Sequence, residues 1–313
     1  MKETRRNFLK KTAAITGAAA LGSSDLFALG RNNAFKVDSN EAFKLNYAPN
    51  FGSFKEWANT KDPVDYIKFC YDLGFRGFFD NWFSRHPIDV QEKIANELDR
   101  LGMEMGPYIA IAGGPVNFVT DDPEIRKEIL KTMETAIAVH KRTGFKQALV
   151  TLGGEAKKLH PEFQLANAID NLRACCDRVE PEGLTLVMEP LNQYVNHPGL
   201  FLKRIPQAYA ICRALNRPSC KIVDDLYHQS IQEGNLINNM DMAWKEIGAF
   251  HLGDNPGRKE PTTGEINYNN IFKHIYDKGY KGTLCMEHGN SIKGLDGEKR
   301  LYQAYRECDN FNV

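Results

Sequence analysis

The chain has 313 residues, of which 42% are hydrophobic and 26% are charged, and its acidic and basic residues balance at 40 each. These fractions are typical of an ordinary globular protein, and the length suits one large α/β domain or two smaller ones. A nucleic-acid-binding protein usually carries a basic face, and no basic run follows the first dozen residues. The composition therefore argues against DNA or RNA as a substrate.

The N-terminal segment differs in character from the rest of the chain. Residues 4–10 read TRRNFLK, and a weakly apolar, alanine-rich run follows from Ala13 to Leu21. This order predicts a twin-arginine export signal over about residues 1–30, with a disordered basic tail as the alternative. The run is too short to span a bilayer as a permanent helix. We therefore expect engagement of the twin-arginine export machinery, a periplasmic or otherwise exported protein, and a folded domain over residues 31–313.

The seven cysteines are an odd number and contain no CxxC pair. That usage argues against a zinc-finger spacing and against a disulfide framework. Most of them lie in apolar segments, so we predict small core residues. Export to an oxidising compartment would allow one disulfide bond, which the sequence does not identify.

From Phe43 onward, short apolar runs alternate with longer segments of helical period, which predicts repeated βα units and a parallel sheet. The predicted strands are 43–48, 75–80, 105–111, 147–152, 184–189, 221–225, 249–252 and 283–287. The predicted helices are 63–73, 89–101, 123–142, 162–179, 206–215, 236–247 and 268–277. A glycine just past the last turn is typical of a helix end, and several occur here: Gly74, Gly102, Gly144, Gly248 and Gly279.

This uninterrupted alternation predicts a single (β/α)8 TIM barrel of the α/β class. An open, doubly wound sheet is the runner-up. It is disfavoured because no GxGxxG loop follows the first predicted strand.

Four consecutive predicted strands end in a residue that can bind a metal: Glu189, Asp225, His251 and Glu287. The chemistry of such barrels lies at these strand ends, and neighbouring strands are about 5 Å apart. Carboxylates with one imidazole suit Mn²⁺, Mg²⁺ or Co²⁺, with Zn²⁺ as a further candidate. The sequence therefore predicts one divalent cation at the barrel mouth. Asp224 competes with Asp225, since neighbours on a strand point to opposite sides.

Several motifs around these positions resemble those of the sugar isomerases and epimerases of the xylose isomerase-like superfamily, and of hydroxypyruvate isomerases most closely. They are EPLN at 189–192 with PGLF at 198–201, DLYH at 225–228 with QEG at 232–234, and DNPGRKEP at 254–261 running on to GEINY at 264–268. The resemblance extends over roughly the whole mature chain, and its specific motifs are concentrated after Leu184.

The resemblance implies metal ligands at Glu189, Asp225, His251 and Glu287, and it selects Asp225 over Asp224 because an Asp-x-x-His spacing follows. It further implies that His228 and Arg258 contact the substrate and that both glutamates are acid/base catalysts. For Arg258 the alternative is a surface salt bridge.

The implied activity is a metal-dependent isomerisation of a small hydroxy-carbonyl compound, a sugar or a sugar acid, through an enediolate. The metal would polarise the oxygens, and the glutamates would remove and return the proton.

Three positions depart from the relatives. His288-Gly289 follow the last glutamate in place of Tyr-Lys, Val195 stands where ketose 3-epimerases have a further glutamate, and hydroxypyruvate isomerases have glutamine at the position of His251. The metal site is thus predicted to be intact and the substrate pocket altered.

Other functions stay open at this stage. A ketose 3-epimerase, or a sugar dehydratase or lyase on the same barrel, is the first alternative, and a non-enzymatic sugar-binding protein is another. A DNA-repair endonuclease is disfavoured because the early strands supply no histidine set. We expect a small-molecule substrate, no nucleic-acid partner and no stable membrane span, with a homo-oligomer as a further candidate assembly. Aromatic residues near the early strand ends could form a wall of the pocket or pack in the core: Tyr47, Phe51, Trp57, Trp82 and Tyr108.

Overall fold

The structure is a computed structural model that describes residues 41–114 and 116–313. The predicted export signal lies outside the described residues and stays a prediction. None of the described helices is both long and apolar enough to cross a membrane.

In chain order the strands are β1 Asn46–Ala48, β2 Gly77–Phe78, β3 Glu104–Met105, β4 Tyr108–Ile111, β5 Gln147–Val150, β6 Thr185–Met188, β7 Cys220–Asp225, β8 Ile247–Leu252 and β9 Thr283–Met286. They form a curled parallel sheet in the order β1-β9-β8-β7-β6-β5-β4, while β2 and β3 pair in parallel beside it. Single backbone hydrogen bonds connect the segment after β2 to its two neighbours in the barrel. Phe79 N–H donates to Pro49 O, just after β1, at 3.0 Å, and Ile109 N–H of β4 donates to Asn81 O at 2.9 Å. The predicted barrel is therefore confirmed.

The helices lie between the strands, as repeated βα units require. They are α1 Lys55–Ala58, α2 Pro63–Asp72, α3 Ile88–Leu101, α4 Pro123–Thr143, α5 Pro161–Val179, α6 Ile205–Leu215, α7 Leu226–Gln232, α8 Leu236–Ala243, α9 Tyr268–Asp277 and α10 Gly294–Asp309. The starts of α2 and α4 follow from local chemistry, since Asp62 and Asp122 accept hydrogen bonds from first-turn N–H groups and a proline comes next. Gly102 and Gly144 end α3 and α4 in left-handed backbone conformation.

The first two strands, predicted over 43–48 and 75–80, are shorter in the structure, and two further predicted elements differ because of close packing. The third predicted strand, 105–111, is divided into β3 and β4 around Gly106 and Pro107. A Cβ at Gly106 would lie 2.5 Å from Cys285 Sγ, so the chain passes too close to β9 for a side chain there. The predicted helix 236–247 is α-helical to Ala243 and a 3-10 helix over Trp244–Glu246, and Gly248 lies inside β8 rather than after the helix. A Cβ on Gly248 would come within 3.0 Å of Val187 Cγ1, so close packing explains this glycine.

Three helices, α1, α7 and α10, were not predicted. Helix α7 begins directly where β7 ends and is only 7 residues long, too short for a periodic pattern to stand out. Helix α10 is rich in charge and has two glycines in its first turn, Gly294 and Gly297, which weaken a helical prediction.

The floor of the barrel interior is apolar and explains which way the candidate ligands point. Val187, Val223 and Ala249 belong to one buried cluster with Leu149, and Ile109 packs against it. Side chains two positions apart on a strand face the same side. The residues two positions further along the same strands are Glu189, Asp225 and His251. They therefore face the interior, above this floor, and Asp224 faces outward.

All seven cysteines are buried and free, as the prediction of small core residues requires, and the structure has no bridge between them.

Candidate metal centre and active site

Four side chains meet at the carboxyl ends of the last four strands: Glu189, Asp225, His251 and Glu287. Each offers one donor atom, and these atoms all lie within 4.8 Å of one another. The structure thus brings together all four residues that the sequence predicts as metal ligands. Glu189, Asp225 and His251 are buried, while the side chain of Glu287 keeps 22% of its surface exposed and opens toward the mouth.

Two protein cations lie among the three carboxylates. His251 Nδ1 is 3.0 Å from Glu189 Oε1 and 2.9 Å from Glu287 Oε2. Arg258 Nη2 donates to Asp225 Oδ2 at 3.2 Å and to Glu287 Oε2 at 2.7 Å. Arg258 is therefore not a surface salt bridge but part of the site, where its guanidinium also lies 5.0 Å from the ring centroid of Tyr227.

The two glutamates have opposite pKa shifts. Burial raises the pKa of Glu189 to about 7, and the negative charges of Glu287 and Asp225 add to the shift. Burial alone would also raise the pKa of Glu287, but the charge and hydrogen bond of His251, together with Arg258, lower this pKa below its ordinary value. Burial alone would lower the pKa of His251, yet Glu287 and Glu189 raise it well above its ordinary value. One glutamate can thus carry a proton where the other stays ionised.

These residues fit one divalent cation. A cation bound at about 2.0–2.2 Å from each ligand places opposite donors about 4 Å apart, which agrees with donor atoms within 4.8 Å of one another. Buried carboxylates without a counter-charge are costly, and here the proton on His251 and the guanidinium of Arg258 supply that charge. A metal would supply it in their place. Three carboxylates with one imidazole suit Mn²⁺, Mg²⁺, Co²⁺ or Zn²⁺ and do not distinguish among them.

His228 lies beside the cluster with a fixed tautomer. Asn192 Nδ2 donates to His228 Nδ1 at 2.7 Å, and Asn192 Oδ1 accepts from the backbone N–H of Val195 and Asn196, so the amide orientation is set. The proton of His228 is therefore on Nε2, which has no hydrogen-bond partner among the described residues and lies 3.6 Å from Asp225 Oδ2. Burial lowers the pKa of His228 to about 4. The ring is a neutral donor facing the site.

Asp225 also has a structural role, because its Oδ1 accepts the backbone N–H of His228 at 3.0 Å and caps α7. Its neighbour Asp224 is buried on the other side of β7, where burial raises the pKa of Asp224 to about 8. The structure thus agrees with the choice of Asp225 as the inward-facing residue.

Arg258 is held by a tightly bonded loop between β8 and α9. The buried carboxylate of Asp254 accepts backbone N–H groups from Thr263, Gly264 and Ile266 at 2.8 to 3.1 Å. Arg258 itself has a φ of 52°, in the left-handed region that a bulky side chain rarely adopts. The loop carries this strain while it directs the guanidinium into the site.

A cavity of about 430 Å³ opens next to Glu287 and Arg258, with walls from the first two strand ends and the loop after β9. Asn81 lines it and donates to Glu287 Oε1 at 2.5 Å. Phe51 and Trp82 also line the cavity, as an aromatic wall would. The other three aromatic residues suggested for that wall pack elsewhere: Tyr47 and Tyr108 are fully buried, and Trp57 packs against Phe54, Phe69 and Tyr302.

Two of the positions that depart from the relatives, His288 and Val195, have clear surroundings in the structure. His288 accepts from Tyr305 Oη at 2.8 Å and stacks on its ring, and burial lowers the pKa of His288 to about 4. Val195 is 64% exposed on the loop after β6, so this position adds no group to the site.

Sequence reasoning missed Asn81 and Asn192. Asn192 lies within the EPLN motif, so a signal existed for it, whereas Asn81 lies in a loop where no periodicity marks an inward side chain.

Comparison with known proteins gives the following likenesses. The chain is 31% identical to hydroxypyruvate isomerase of Escherichia coli K12 over 166 residues, which is 53% of this chain and 64% of that protein. It is 29% identical to 2-oxo-tetronate isomerase of Pectobacterium atrosepticum over 254 residues, 80% of this chain and 95% of that one. Across the first curated relatives that it matches, the chain spans 47% to 64% of the relative's own length.

Solved structures share the fold. An AP endonuclease of family 2 from Brucella melitensis superposes with a TM-score of 0.69 at 22% identity, covering 81% of this chain and 96% of that one. The IOLI protein with a bound zinc atom superposes with a TM-score of 0.66 at 16% identity, covering 85% and 98%. A family model described as xylose isomerase-like TIM barrel matches residues 67–307. The chain therefore belongs to the xylose isomerase-like TIM barrel family.

Proposed function

We propose that this protein is a metal-dependent isomerase of a small hydroxy-carbonyl compound, of the hydroxypyruvate isomerase type. The observation that carries the proposal is the pair Glu189 and Glu287, whose carboxylates meet the same atom, His251 Nδ1, at 3.0 and 2.9 Å. Two carboxylates at one cation position can divide the removal of a proton from one carbon and its delivery to the neighbouring carbon. The names of the two curated relatives, both isomerases of 2-oxo acids, support the same reaction class.

The cation would be held by Glu189, Asp225, His251 and Glu287. When bound, it would polarise the carbonyl and stabilise negative charge on the two neighbouring substrate oxygens. The likeness to a zinc-bound structure supports a metal in this fold but does not select the element.

The protein's own groups would then divide the proton transfer. In the reaction a C–H proton leaves the carbon next to the carbonyl and returns to the former carbonyl carbon, while the hydroxyl proton passes between the two oxygens. One of the two carboxylates, Glu189 or Glu287, would accept the first proton, and the other would deliver one to the neighbouring carbon from its own side, with exchange through solvent returning both to their starting state. His228 would donate from Nε2 to a substrate oxygen, and Arg258 would bind an anionic oxygen or a carboxylate.

Solvent deuterium exchange tests this proposal. The purified full chain is loaded with Mn²⁺, Mg²⁺, Co²⁺ or Zn²⁺ and incubated in D₂O with hydroxypyruvate, four-carbon 2-oxo acids, ketoses and aldoses. We expect deuterium at the carbon next to the carbonyl, and a loss of about 10²- to 10⁴-fold in Glu287→Gln, the usual contribution of a positioned acid or base. Glu92→Gln, an exposed glutamate on α3, should retain full activity.

A chelator should abolish exchange and the cation should restore it. Metal binding without exchange on any compound of the panel would contradict the isomerase proposal and favour a lyase or a binding protein.

A further inference from the structure

One residue of the loop after β6, His197, is less exposed than its neighbours. Residues 194–196 and 198–199 are exposed, whereas His197 between them is half-buried. Its ring centroid lies 5.3 Å from that of His228, with the planes inclined by 58°. Since His228 Nε2 lies 3.6 Å from Asp225 Oδ2, His197 is one ring away from the carboxylate cluster.

The loop is built to hold this ring in place. His197 N–H donates to Asn192 O at 3.0 Å, and the same Asn192 side chain fixes His228 through Nδ1. Asn196 accepts from Asn192 Nδ2 at 3.0 Å and from Tyr227 Oη at 3.0 Å. The two histidines are therefore positioned by one hydrogen-bond network, and a residue held this way is typical of a preformed contact rather than a freely moving surface side chain.

The part of the loop that follows His197 is also held by backbone hydrogen bonds. Phe201 N–H donates to Gly153 O at 3.0 Å, and Glu155 N–H donates to Gly199 O at 2.8 Å, so the segment after His197 is bonded to the loop that follows β5. The backbone of the loop is thus bonded on both sides of the histidine.

The ring of His197 has hydrogen-bonding capacity that the protein does not use. Neither of its nitrogens bonds to another group within residues 41–114 and 116–313, although the ring packs against His228. Burial, with Arg258 next, lowers its pKa, so at neutral pH the ring offers one N–H donor and one acceptor nitrogen. A hydroxyl group, which both donates and accepts, is the matching ligand.

We propose that His197 is a specificity-determining residue that binds a substrate hydroxyl beyond the two oxygens of the reacting pair. The inference rests on the proposed isomerase function. The ring of His197 packs on that of His228, whose Nε2 is 3.6 Å from Asp225 Oδ2, so a substrate whose reacting oxygens meet His228 and the cation position would bring its next oxygen to His197. The substrate is accordingly a hydroxy-carbonyl compound of at least four carbons, with a hydroxyl on the carbon after the reacting pair.

A comparison of two substrates, with and without the additional hydroxyl, in the wild type and in a His197 variant tests the proposal. The ratio of kcat/KM for four-carbon 2-oxo-tetronate to that for three-carbon hydroxypyruvate is measured in the wild type and in His197→Phe, which keeps a ring against His228 but removes both nitrogens. We expect this ratio to fall about two- to tenfold, the factor for one hydrogen bond to an uncharged group. His197→Gln, which can still donate and accept, should recover part of it. His160→Phe is the matched control, since His160 also precedes a proline but starts α5 in another loop.

An unchanged ratio would overturn the proposal, as would an equal fall on both substrates, which would show a structural role only. If the wild type exchanges deuterium with neither substrate, the isomerase function fails, and His197 is then tested by binding alone. In that case erythritol and glycerol are titrated into Mg²⁺-loaded, ¹⁵N-histidine-labelled protein. A shift of the His197 ring signal with erythritol that glycerol does not produce supports the contact, and its absence overturns it.

Discussion

The two halves of the barrel are built from different side chains and have different tasks. Strands β6–β9 are four to six residues long and deliver the four candidate ligands from consecutive strand ends. Strands β1–β3 are only two or three residues long and are surrounded by buried aromatic rings. Phe79 joins the halves, with its ring centroid 5.2 Å from that of His251.

This difference shows why regular strands and chemistry coincide. A cation site needs donor atoms held to within a few tenths of an ångström, and continuous strand pairing provides that, as between Asp225 and His251 on β7 and β8. The same half concentrates like charges and orphaned polar atoms, such as His251 Nε2 and Asp224 Oδ1, which cost folding free energy. We infer that packing in the aromatic half stabilises the fold and offsets the folding free energy that the ligand half costs.

Removing a ring from the aromatic half should produce the largest loss of stability. Phe75 is fully buried and packs against Phe43 and Phe54, with ring centroids 4.7 and 5.6 Å away. Phe75→Ala should lower the free energy of unfolding by about 3–5 kcal/mol, measured by urea denaturation without metal. The metal affinity of the folded fraction, measured by calorimetry, should not change, because Phe75 touches none of the four ligands.

The control is Phe163→Ala on α5, where the side chain is 60% exposed and the change should be within about 0.5 kcal/mol. If Phe75→Ala is too unstable to purify, Phe75→Leu tests the same direction with a smaller cavity. A loss of metal affinity in a Phe75 variant that is fully folded would show that the two halves are not separable.

Asp225 on β7 should show the opposite pattern, a loss of metal affinity with little change in stability. Asp225→Asn should weaken divalent metal binding by more than about 100-fold, because loss of even an outer-shell partner costs about 10- to 100-fold. Stability without metal should change by no more than about 1 kcal/mol, since the amide oxygen can still cap α7 and the lost ion pair with Arg258 is offset by reduced repulsion from the glutamates.

Asp224→Asn is a closely matched control, because Asp224 is equally buried on the same strand but faces away from the cluster. Its metal affinity should equal that of the wild type. Equal losses in the two variants would contradict the assignment of Asp225 to the site.

The sequence predicts the ligand half better than the aromatic half, for a physical reason. Period-two alternation and helix signals such as Asp122-Pro123 act within a few residues, so strand ends, inward-facing side chains and many helix bounds can be derived locally. The division of the third strand at Gly106 depends on the approach of Cys285, which is distant in the chain. The same limit applies to the guanidinium of Arg258, whose place between two carboxylates is set by loop bonds to Asp254.

The aromatic half also borders the cavity, and Trp82 tests whether it contributes to substrate binding. The Trp82 side chain lines the cavity with 41% of the residue exposed, and Arg85 stacks on its ring at 3.6 Å from the centroid, so the guanidinium supports one face of the ring. A wall that contacts ground state and transition state alike changes KM and leaves kcat in place. We therefore expect Trp82→Ala to raise KM about three- to tenfold, the scale of one aromatic contact, with kcat unchanged.

Trp82→Phe should recover most of the affinity, and Ile88→Ala, an exposed apolar residue at the start of α3 that does not line this cavity, should leave KM unaltered. A fall in kcat with KM unchanged would mean that Trp82 acts on Glu287 through its neighbour Asn81, whose Nδ2 donates to that carboxylate, rather than on the substrate. The aromatic half would then take part in positioning the acid/base group, and the division of tasks between the two halves of the barrel would have to be abandoned.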